Sequence, residues 1–99
     1  MALNTGTIPG YNVRNITLAA PTTTVVKTGQ GILHTITFNK PVATGTIIVY
    51  DALTATNPIA SITIPASPQP VTLHYDVVFE TGLTIVTDTA AQDMTVSYI

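Results

Sequence analysis

The chain has 99 residues, no cysteine, three basic and five acidic side chains, and a formal net charge of −2. That length holds one domain with one modest core. The missing cysteine excludes disulfides, thiolate metal sites and thiol catalysis, and so few basic residues, with no basic run, argue against nucleic-acid binding.

Threonine fills 20 of the 99 positions, a β-branched and weakly polar composition that suits pleated strands. Small domains of this kind usually need staples, so oligomerisation is the expected support here. The charges are unevenly placed. Arg14, Lys27 and Lys40 precede residue 41, while Asp51, Asp76, Glu80, Asp88 and Asp93 follow residue 50. The distribution is either chance among few charges or a basic front that meets the acidic back of another subunit or an acidic partner. No apolar run approaches the roughly 18 residues of a membrane span. MALNTGTIPGYN lacks the charged start and apolar centre of a signal peptide, so synthesis in the cytoplasm is expected.

Residues 1–24 read as a separate region, punctuated by Asn4, Gly6, Pro9, Gly10, Asn12 and Asn15. Such a segment has too little apolar surface for a core of its own. It is either a flexible tail or an extended arm against a neighbour, with Ile8, Tyr11, Val13, Arg14, Ile16 and Leu18 as candidate partner-binding residues. Asn15-Ile16-Thr17 matches a glycosylation acceptor, but without a secretory signal the match carries no weight.

From Thr24 to Lys27 a short strand is predicted, then a turn at Thr28-Gly29-Gln30-Gly31. Ile32 to Phe38 alternates and stops at Asn39-Lys40-Pro41, where proline cannot continue a central ladder. Thr46 to Tyr50 is apolar on both faces, as in a strand buried in a sandwich or by a partner. Asp51 to Pro58 reads as a loop, Ile59 to Ile64 as an alternating strand, and Pro65 to Pro70 as a stiff connection between sheets. In Val71 to Phe79, Val71, Leu73, Tyr75, Val77 and Phe79 share one face, while Thr72, His74 and Asp76 share the other. A hairpin at Glu80-Thr81-Gly82, with Gly82 expected at positive φ, leads to Leu83 to Thr87. Asp88 to Asp93 is a loop, and Met94, Val96 and Tyr98 mark a last strand. This spacing predicts an all-β fold: an antiparallel β-sandwich, jelly-roll or Ig-like, of about seven to eight strands with little helix. The expected division is an extended N-terminal arm over 1–24 and a sandwich over 25–99.

His34 and His74 are the only imidazoles. His74 is expected beside Asp76 on the outward face, and such a pair can orient a general base. No serine elbow or cysteine marks a nucleophile, so a solvated histidine is the reading preferred and no catalytic residue is assigned. Two histidines with scattered carboxylates match no zinc spacing. Asp51, Asp88 and Asp93 lack a DxDxDG-type run, and a turn-capping aspartate is the commoner use, so no metal or cofactor is assigned. Gly29-Gln30-Gly31 is not a phosphate loop, because no GK[ST] follows. With no tryptophan, the chain offers only Tyr11 and Tyr50 as platforms for a sugar. Nothing in the sequence indicates an enzyme.

GILHTITFN (Gly31 to Asn39), GTIIVYDA (Gly45 to Ala52), IASITI, LHYDVVFETGLTIVT (Leu73 to Thr87) and the final MTVSY follow one another in order. As a set they resemble small all-β structural proteins of tailed bacteriophages and prophages, from Gly31 onward. The resemblance implies a virion protein of the capsid decoration or cement type, made in the host cytoplasm and bound to the outside of the head. Its implied partners are the major capsid protein and other copies of itself, as homodimer or homotrimer. It implies no catalytic residue and does not extend to residues 1–24. The rival readings are a tail or spike component and a glycan-binding β-sandwich module.

Overall fold

The structure is a computed structural model describing residues 11–17 and 19–99. Eight strands form: β1 (Asn12–Ile16), β2 (Thr22–Thr28), β3 (Gly31–Lys40), β4 (Thr46–Asp51), β5 (Pro58–Thr63), β6 (Val71–Phe79), β7 (Gly82–Asp88) and β8 (Asp93–Tyr98). They make two four-stranded sheets, a front sheet ordered β1-β8-β3-β6 and a back sheet ordered β2-β7-β4-β5. Every pairing is antiparallel.

β1 pairs with β8, β2 with β7, β3 with β6, and β4 with β5. The chain is thus one long double ribbon rolled into two layers, which is the jelly roll rather than the Ig arrangement. The expected antiparallel sandwich, with no helix among the described residues, is the fold that forms.

Strand alternation explains the core. Ile16, Leu33, Ile36, Phe38, Phe79, Met94 and Val96 point inward from the front sheet, and Val26, Ile47, Val49, Leu83 and Ile85 from the back sheet, with Ile64 just beyond β5. Tyr75 packs against this cluster, and Phe79 is fully buried, as their places in the inward set of β6 require.

Three expectations change. The boundary between residues 24 and 25 falls inside β2, and β1 already lies in the front sheet, so the sandwich begins by Asn12. NVRNI lacks alternation because four of its five residues are exposed; backbone pairing to β8 and the burial of Ile16 hold it in place. Residues 1–10 of the expected arm, Ile8 among them, lie outside the described residues, as does Leu18. Second, among the described residues Gly29 is the glycine with positive φ, at 92°, and Gly82 is not in that region. A Cβ on Gly82 would stand 2.5 Å from Leu53 Cδ2 and 2.9 Å from the Lys27 carbonyl, so close packing is what requires glycine there.

Third, β3 does not alternate evenly. Leu33 lies opposite Tyr98 while Thr35 lies opposite Ser97, leaving His34 as an extra residue against β8. Against β6, Leu33 faces Val77 and Thr35 faces His74, so His34 stands across from Tyr75 and Asp76 together. This bulge lets Leu33 and Ile36, three apart, both reach the core.

Candidate interaction surface on the front sheet

The outward positions of the front sheet follow from the register. β8 presents Thr95 and Ser97, β3 presents Thr35 and Thr37, β6 presents Thr72, His74, Asp76 and Val78, and β1 presents Val13 and Asn15. Thr37 and Thr72 share a hydroxyl–hydroxyl hydrogen bond of 2.9 Å across the β3–β6 ladder. The result is a broad plane of hydroxyl, amide and imidazole groups, and no pocket opens among the described residues.

One end of the plane is tied together around Asp93. Asn15 Nδ2 donates to Asp93 Oδ1 at 2.9 Å and Asn39 Nδ2 to the same oxygen at 3.1 Å. Both amides also reach Thr95 Oγ1, at 3.4 and 3.0 Å. Three strands, β1, β8 and β3, thereby share one carboxylate. The amide of Asn15, then that of Asn39, and more weakly the charge of Lys40, hold the Asp93 carboxyl below its ordinary value despite partial desolvation.

The other end is organised by the bulge. Asp76 takes φ 52°, a left-handed conformation that aspartate tolerates better than most residues, and its Oδ1 lies 2.5 Å from His34 Nδ1. A carboxylate only accepts, so this hydrogen bond places a proton on Nδ1 and leaves Nε2 free. Tyr11 stacks on the His34 ring at a centroid distance of 4.3 Å, and His74 meets it edge-on at 6.2 Å. Asp76 therefore pairs with His34 rather than with His74, its expected neighbour on β6. The extra residue at the bulge moves His34 to face it.

An oriented imidazole is one part of a base catalyst, and Asp76 is the hydrogen-bond partner that His34 has here. Among the described residues no three His, Asp or Glu side chains are grouped to hold a metal ion. Asp51, considered above as a loop carboxylate, closes β4 and accepts from the backbone N–H groups of Glu80, at 3.0 Å, and Thr81, at 2.9 Å. It caps the β6–β7 turn. Those bonds, Thr81 first and Glu80 next, lower its carboxyl below the ordinary value.

Of the candidate partner-binding residues, Val13 and Arg14 are exposed on the edge strand β1, Val13 to 66%, and Tyr11 is exposed with its ring stacked on His34 of β3. Ile16 is not available: at 2% exposure, opposite Met94, it belongs to the protein's own core. Its inward parity on β1 removes it from any partner contact. The Asp93 group was missed in the sequence because its members lie 78 and 54 positions apart along the chain. The signal that could have found it is the outward parity that Asn15 and Thr95 share once β1 is paired with β8.

Comparison with models of protein families, with curated proteins and with solved structures finds no match to this chain.

Proposed function

We propose that the protein is a structural component of a bacteriophage virion, a decoration or cement protein that binds the outside of the head and stabilises contacts between capsomers. The observation that carries this reading is the front sheet, a polar plane of Thr, Asn and His residues bordered by β1 and β6, each paired on one side only among the described residues. Such a plane suits contact with another protein surface over a wide area, and exposed strand edges favour association. Viral capsid domains include jelly rolls, which adds fold-level analogy and no more. The major capsid protein is the implied partner. Many symmetry-related sites let modest contacts gain from avidity.

The test is the copy number of the protein in purified virions relative to the major capsid protein. A ratio between about one third and one fits occupancy of symmetry-related capsid sites. A ratio of a few per cent moves the protein to the tail or a vertex, and absence from virions overturns the reading. Deleting residues 2–10 removes no residue of a described strand. If the N-terminal segment anchors the protein, that variant folds and fails to bind heads.

A glycan-binding module is the second reading, favoured by the carboxylate, two amides and hydroxyl that converge around Asp93. Selective retention on a glycan array, lost in Asp93→Ala, would establish it in place of the first.

A further inference from the structure

β4 is apolar on both faces, and the fold buries only one of them. Ile47 and Val49 enter the core, while Ile48 and Tyr50 point out of the back sheet and are half-buried. The register carries the same outer face to the neighbouring strands. Ile48 lies opposite Val86 of β7 and Ser61 of β5, and Val86 opposite Thr23 of β2. Two residues further along, Tyr50 lies opposite Thr84, and Thr84 opposite Val25, which is 41% exposed. The chain covers one end of this face with its own loop: Thr84 Oγ1 donates to the Ala52 carbonyl at 2.6 Å, and Leu53 stands over Gly82. Among the described residues nothing covers the rest. Val25, Ile48, Tyr50 and Val86 form its apolar centre, bordered by Thr23, Thr46, Ser61 and Thr63.

Charge, chain course and area select what can cover this face. The charged residues of the back sheet, Lys27, Asp51 and Asp88, all lie at strand ends, and Asp51 is taken up by the β6–β7 turn. A two-fold contact lays a patch against itself, and a neutral apolar centre with a hydroxyl border does so without facing like charges. Homodimer interfaces are the more apolar class, whereas the front sheet offers hydroxyl, amide and imidazole groups. Residues 1–10 join the described chain at Tyr11, which stacks on His34 of the front sheet, so they enter on the opposite layer. The molecule measures 37 by 29 by 21 Å, with broad faces large enough for the roughly 800 Å² that each partner gives to a stable interface. A 99-residue chain without cysteine also gains stability from the added burial.

We infer that the outer face of the back sheet is where two copies of the chain pack, sheet against sheet about a two-fold axis, with Val25, Ile48, Tyr50 and Val86 at the centre. In that dimer β4 is buried on both faces, the situation to which a strand apolar on both faces belongs. The two polar front sheets then face outward on opposite sides. The inference concerns the isolated protein and stands whether or not the protein occupies a capsid.

Sedimentation equilibrium of the full wild-type chain is expected to give twice the 10.4 kDa chain mass, and a monomer overturns the inference. Val25→Asp and Val86→Asp each put a charge into the apolar centre and should weaken the dimer by more than about tenfold. Val13→Asp, on the front sheet, should leave the mass unchanged. Circular dichroism and a retained unfolding transition show that each variant is folded. A soluble paramagnetic agent reads the same surface in the wild type, with no substitution. The methyl signals of Val25 and Val86 are expected to broaden far less than those of Val13 and Val78, which are 66% and 55% exposed in the single chain. Equal broadening overturns the inference even where a variant fails to fold. So does a dimer that survives both back-sheet charges, or one that Val13→Asp dissociates. Virion copy number is independent of all these outcomes, so the two readings fail separately.

Discussion

Gln92 and Val42 are bonded to each other twice: the Val42 N–H donates to Gln92 Oε1 at 2.7 Å, and Gln92 Nε2 donates to the Val42 carbonyl at 3.0 Å. A loop side chain thus does for Val42 what a neighbouring strand would do. Gln92 is 2% exposed while Val42 is exposed, so the two bonds are part-buried and Gln92 supplies the partners of both Val42 backbone groups. Gln92→Ala strands them and is expected to cost about 2–3 kcal/mol in urea unfolding. Gly45→Ala should also destabilise, because a Cβ there would lie 2.2 Å from Gln92 Nε2. A loss under about 0.5 kcal/mol for Gln92→Ala would mean that water replaces the amide at little cost.

Thr24 presents the opposite case. Its hydroxyl is buried in β2 with no hydrogen-bond partner. Valine has the same shape without the polar atom, so Thr24→Val is expected to stabilise the fold by about 1 kcal/mol. The check is a shift of the denaturant midpoint to higher concentration at unchanged slope.

Ile16 and Val13 sit three residues apart on one strand with contrary roles. Ile16→Ala is expected to cost about 2–4 kcal/mol by opening a cavity beneath β1. Val13→Ala, on the exposed side, should stay within about 0.5 kcal/mol. Similar costs for the two would show that β1 is not anchored through Ile16.

Acid sensitivity follows from Asp51 and Asp93. Both have folded-state carboxyls depressed below the ordinary 3.8, Asp51 through the Thr81 and Glu80 backbone N–H groups, Asp93 through the Asn15 and Asn39 amides. A depressed carboxyl contributes stability that is present above the unfolded value and lost as pH falls through the folded one. The thermal midpoint should therefore hold near neutral pH and fall once pH drops below about 4. Asp51→Asn should lower the midpoint at neutral pH and flatten the acid decline. An equally steep decline in that variant would assign the effect to other carboxylates.

The strands that alternate cleanly were legible in the sequence. In Val71 to Phe79 the residues from Leu73 onward show both faces in the order of their letters, with Val71 at the strand's start exposed, and Gly29 marks the turn between β2 and β3. What stayed hidden depends on pairing between distant strands. The bulge at His34 is invisible in GILHTITF, because nothing local says that Leu33 and Ile36 share a face. His74 and Asp76 do share the outward face of β6, as alternation implies, but the bulge brings His34 of β3 to Asp76 as its hydrogen-bond partner instead. NVRNI has one buried residue in five, so its place in the sheet is written in β8 as much as in itself. Of the candidate surface, Tyr11, Val13 and Arg14 could be picked out as residues without a core role. Ile16 could not be told from them, because parity has meaning only once the register is known.

The rolled ribbon also fixes how the fold answers to mechanical force. Asn12 lies directly opposite Tyr98, so the first and last strands of the sandwich meet at one rim. Tension applied between those two residues pulls β1 away from β8 one rung at a time, each rung bearing the load alone. Tension applied along the strands, as between Asn12 and Met94, would load the rungs of the β1–β8 ladder together. The same protein should thus peel at low force from one pair of attachment points and resist strongly from the other, a contrast that single-molecule pulling from the two geometries would measure.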